Sequence, residues 1–134
     1  MQARQIGRPN SASQARLQTI LIALAAWNFV GFVFELTNSG LVSVDGIDGA
    51  LGARAVSGSM GVLALAYLYA ARNPIRHRFV LWLASLEQIV GLFAVAFHWA
   101  RGDVGASESA IPIIASALFL VLLMANMPRQ TDTI

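Results

Sequence analysis

Six polar side chains in this sequence have the chemistry to act on something. Glu87, Asn28 and Ser116 fall at one depth of a largely apolar chain, and Glu35, Arg54 and His98 fall at another. A carboxyl group can give or take a proton, an amide and a hydroxyl can hold it in place, and a histidine beside an arginine can position a polar head. Glu87 is the most demanding of the six, because it stands near the middle of Phe79 to Ala100, a stretch otherwise almost wholly apolar. Insertion scales put an acidic residue at the centre of a membrane helix at roughly +2.5 to +3.5 kcal/mol, so such a residue faces the protein interior, a partner or a water-filled cavity.

The elements that must position these groups are legible in the hydropathy. Only 12% of the 134 residues are charged and 57% are hydrophobic, against about 25% charged in an ordinary soluble domain. Mean hydropathy is +0.64. Four apolar windows, residues 17–36, 55–71, 79–100 and 110–127, approach or exceed the ~17 to 25 residues that cross a bilayer. None carries the polar stripe that a soluble bundle needs. The expected fold is therefore all-α, a polytopic membrane protein built as an antiparallel four-transmembrane-helix bundle over 17–127. A polar N-terminal segment, 1–16, and a short tail, 128–134, flank it. The first apolar run is longer than the ~7 to 15 residues of a signal-peptide core and is read as a span.

Every basic residue apart from the two histidines is an arginine, and their placement sets an orientation. Arg4, Arg8 and Arg16 precede the first span, Arg72, Arg76 and Arg78 fill the second connection, and Arg129 follows the last. Asp45, Asp48, Asp103 and Glu108 lie in the other two connections, with Arg54 and Arg101 at their borders. The positive-inside bias places both termini in the cytoplasm. The basic balance is a topology signal with some attraction to anionic lipid. No loop interleaves aromatic and basic residues as single-stranded nucleic acid requires, so membrane lipids, a protein partner or further copies of the chain are the expected contacts, and nucleic acid is not.

Asn73-Pro74 stops the second helix and makes spans two and three antiparallel neighbours. The connection from Thr37 to Ala53, with Gly40, Gly46, Gly49 and Gly52, reads as an irregular loop or a short interfacial segment. Ser107 or Ser109 is the expected cap of the fourth helix, with Pro112 in its first turn. Small residues in span two, Ser57, Gly61 and Ala64 on one side and Ala66 and Ala70 on another, allow close helix approach.

Counting 1.5 Å per residue from the inner ends puts Asn28, Glu87 and Ser116 at roughly 12 to 17 Å, and Glu35, Arg54 and His98 at roughly 25 to 29 Å. Two arrangements follow. In one, Glu35 pairs with Arg54 at the surface, and Asn28, Gln88 or Ser116 satisfies Glu87. In the other, Glu87 is the floor of an outward-opening cavity with Glu35, Arg54 and His98 at its mouth. Cysteine is absent, which excludes disulfides and thiol relays. His77 and His98 have no metal-ligand spacing, so neither a metal nor any other cofactor is expected.

The run from Tyr67 to Phe79, with Arg72, Asn73, Pro74, Arg76 and Arg78, precedes a helix carrying Glu87. It resembles the second and third spans of small bacterial four-helix membrane proteins grouped as DoxX-like. The resemblance implies a four-helix fold and a bacterial inner (plasma) membrane location, and brings no catalytic residues. Three functions stay open. The leading one is a non-catalytic accessory or scaffold subunit of a membrane assembly. The second is a lipid-, quinone- or isoprenoid-binding protein or enzyme using Glu87, and the third a proton-coupled transporter acting as a dimer.

Overall fold

The structure, a computed structural model, describes residues 11–37 and 47–128, the side chains of Ser11, Glu35, Thr37, residues 47–57 and Glu108 excepted. Four helices make it up: α1 (Ser11–Thr37), α2 (Ile47–Ala71), α3 (Arg78–Ala100) and α4 (Ala106–Asn126). No strand occurs among the described residues. In a hydrocarbon environment a helix satisfies its backbone groups within itself, and the long apolar windows leave the chain no other economical solution. Ala12–Phe34, Arg78–Ala100 and Ser109–Asn126 are each long and apolar enough to cross a membrane, and Gly58–Ala71 is a shorter apolar stretch within α2. The α2 backbone runs for 25 residues, about 37 Å at 1.5 Å per residue.

Helix α1 packs most extensively on α2 and α3 on α4, while α1 meets α4 and α2 meets α3 more lightly. The result is a ring of four antiparallel helices built from two tight pairs. Glycine lets the first pair approach. A Cβ on Gly61 would stand 3.3 Å from the Phe32 ring, and one on Gly31 would stand 3.0 Å from Met60 Sδ. The core gathers at one end of the ring, from Leu17, Leu21 and Leu24 of α1, Tyr67 and Ala70 of α2, Leu81 and Ala84 of α3, and Leu123 of α4. That end holds the turn between α2 and α3. There Asn73 Oδ1 accepts the Arg76 N–H at 3.2 Å, the His77 N–H reaches the Asn73 carbonyl at 3.1 Å, and Pro74 is fully buried.

Outward faces are apolar as well. Phe29, Val62, Leu65, Phe93, Ile111, Ile114 and Val121 are all more than half exposed, the inverse of a soluble surface and the pattern of helices solvated by lipid.

Three local expectations change. Helix α2 begins at Ile47, so it takes up Gly49 and Gly52, which the sequence placed in a connection. Glycine disfavours helix in water, but membrane helices carry it more often. Helix α4 begins at Ala106, so Ser107 and Ser109 lie inside it. Ser109 Oγ donates back to the Gly105 carbonyl at 2.9 Å instead of capping the free N–H groups. Pro112 consequently sits in the second turn, where it removes one helical donor.

Candidate functional site

Glu87 is half-buried at the seam between α3 and α2. Its Oε2 accepts a hydrogen bond from the Tyr67 hydroxyl and a second from Gln88 Nε2 at 3.1 Å. Tyr67 has no exposed surface, and Gln88 is 3% exposed. The sequence positions this contact simply. Tyr67 lies four residues before the end of α2 and Glu87 nine residues into α3, heights of about 6 and about 13 Å above the turn. Side chains on a helix tilt toward its N-terminus, so on antiparallel neighbours Tyr67 leans away from the turn and Glu87 leans toward it, which closes the difference. Every buried side-chain nitrogen and oxygen among the described residues has a partner.

Neither Asn28 nor Ser116 bonds to Glu87. Asn28 is 3% exposed, and its Nδ2 donates to the Leu24 carbonyl of its own helix at 3.2 Å. Ser116 faces Gly91 across the α3–α4 contact, its Oγ 3.6 Å from where a Gly91 Cβ would lie. Ser85, also buried, returns its hydroxyl to the Leu81 carbonyl at 3.0 Å. Among the described residues, the buried polar groups thus divide between one bond that crosses from α2 to α3 and several that close on their own helix.

Of the outer group, the side chains of Glu35 and Arg54 lie outside the described residues. His98 is exposed at the far end of α3, with Nδ1 2.9 Å from Asp103 Oδ2. Arg101 Nε approaches the same oxygen at 3.4 Å, and its guanidinium lies over the Phe97 ring, 5.5 Å from the centroid. These contacts close the short link from α3 to α4 on itself. His98 also borders an apolar crevice of about 230 Å³ between α3 and α4. A larger apolar groove of about 590 Å³ runs between α1 and α2, floored by Ala25, Gly58, Gly61 and Ala64. Glu87 lines neither groove. No group of three or more His, Cys, Asp or Glu side chains lies together among the described residues.

Tyr67 is the residue that sequence reasoning missed. A signal for it existed: a tyrosine inside an apolar run needs a partner for its hydroxyl when buried, and Glu87 was the unsatisfied acid across a short turn.

No family model matches the chain, and neither a curated protein nor a solved structure matches it. Fold and geometry together define a small helical membrane protein with one polar fastener between α2 and α3.

Proposed function

We propose that this protein is a non-catalytic accessory or scaffold subunit of a bacterial inner-membrane assembly, a DoxX-like bundle with both termini in the cytoplasm. The observation that carries the reading is the bonding of Glu87: its Oε2 accepts from both Tyr67 and Gln88 of the same chain, and the residue lines neither apolar groove. A proton-handling acid needs a path to substrate or water, and a fastener needs partners of its own. The arginines of the second connection and of both terminal segments support the orientation. Broad apolar faces on all four helices are open to a partner helix as well as to lipid.

The test is purification from the native membrane in mild detergent or lipid nanodiscs, with every co-purifying protein and lipid identified. A second protein in fixed stoichiometry is the expected result. The chain alone, carrying one bound quinone, isoprenoid or lipid per copy, would overturn it. That second reading draws on the groove between α1 and α2, whose apolar walls suit a hydrocarbon tail. Glu87 would then take no part in acting on the ligand held there.

A further inference from the structure

We propose that the turn between α2 and α3 is a headgroup site for anionic phospholipid of the surrounding leaflet, an inference independent of the accessory role. Arg72, Arg76 and Arg78 fall within a single turn and its edges, and no aspartate or glutamate occurs in the sequence between Asp48 and Glu87. Glu87 itself is occupied by Tyr67 and Gln88. The ion pairs among the described residues lie at the opposite end of α3, where Asp103 takes His98 and Arg101. Among the described residues, three guanidinium groups therefore stand without an acid at this end.

Their backbone is held in place. Asn73 Oδ1 fixes the Arg76 N–H, Pro74 is buried, and the Tyr69 and His77 rings lie 4.7 Å apart across the turn. Arg72 and Arg76 are exposed, and Arg78 is half-buried at the start of α3. Directly beyond the charges an apolar face begins. Phe79 is 77% exposed and Trp82 53%, followed at helical spacing by Leu86 and Val90. A lipid whose phosphate sits among the arginines lays its chains along that face. A zwitterionic lipid brings its own ammonium to the same place, so the unpaired positive charge selects a headgroup of net negative charge.

Trp82 reports on this site directly. In a Trp27→Phe, Trp99→Phe background it is the sole tryptophan, and its quenching by brominated lipid measures which lipid stands beside it. The full chain is reconstituted in phosphatidylcholine bilayers containing either brominated phosphatidylglycerol or brominated phosphatidylcholine. The expected result is a preference for phosphatidylglycerol of about threefold or more, within the roughly fivefold per arginine available at an anionic surface. That preference should fall toward unity in Arg72→Gln, Arg76→Gln, Arg78→Gln. Because losing three topology-setting charges can disturb insertion, the same preference is also followed with the arginines intact as salt rises from about 0.1 M to about 1 M, which shortens the screening length from about 10 to about 3 Å. It should weaken. Equal quenching by the two lipids at low salt, or a preference indifferent to salt, would overturn the site.

Discussion

Replacing Tyr67 with phenylalanine removes one hydroxyl from a ring that has no exposed surface and leaves the ring's packing intact. What is lost is the hydrogen bond to Glu87 Oε2, the one side-chain bond that joins α2 to α3 among the described residues. Glu87 keeps the Gln88 donor at 3.1 Å and is only half-buried, so the substitution orphans no group. The expected loss is therefore that of one interhelical bond, about 0.6 to 1.7 kcal/mol in membrane proteins. Glu87→Ala is a harsher change, because it strands the buried Tyr67 hydroxyl and the buried Gln88 amide, at about 1 to 3 kcal/mol for each donor left unmade. Equilibrium unfolding in mixed micelles, followed by circular dichroism, measures both. A cycle of Tyr67→Phe, Glu87→Ala and the double variant should give a coupling of about 1 kcal/mol. A Tyr67→Phe variant as stable as the parent, with no coupling in the cycle, would refute the fastener.

The α1–α2 contact offers a contrast between two glycines: Gly58→Ala meets nothing within 4 Å and should be neutral or gain up to about 1 kcal/mol, whereas Gly61→Leu drives into the Phe32 ring and should cost about 1 to 3 kcal/mol in the same unfolding assay. Asp103→Asn breaks an exposed cluster with His98 and Arg101 and should change stability by no more than about 1 kcal/mol, measured against the parent in low and high salt. Reporter fusions should place the C-terminus in the cytoplasm; a fusion active only in the periplasm would reverse the orientation drawn from the arginines.

Hydropathy made the all-helical fold legible because a lipid-solvated helix must be apolar on every side, and three of the four helices are long and apolar enough to cross a membrane. Helix ends were less legible. Ile47 to Ala53 is glycine-rich and resembles a loop by propensities learned in water, yet it continues α2. Ser109 has the right type for a cap but sits where its hydroxyl meets the Gly105 carbonyl. The candidate site was visible in part. Glu87 announced itself by cost and Gln88 was among its expected partners, whereas Tyr67 did not follow from depth alone. Asn28 shares the depth of Glu87, but depth does not fix the azimuth at which a side chain leaves its helix, and Asn28 closes on Leu24. Tyr67 starts lower and arrives by tilt and length, which counting residues along an axis does not register.

Whether Glu87 fastens the bundle or carries chemistry is tested most directly by Glu87→Gln, expressed in the native membrane beside Glu87→Ala and isolated with whatever accompanies the parent protein. Glutamine keeps one acceptor oxygen for Tyr67 and Gln88, carries an NH2 donor in place of the second oxygen, and can neither ionise nor exchange a proton. Glu87→Gln should retain the co-purifying partner at the parent's stoichiometry, and Glu87→Ala should lose much of both bundle and partner. A Glu87→Ala variant that assembles normally, beside a well-folded Glu87→Gln variant that has lost its partner, would contradict the structural role assigned to this carboxyl.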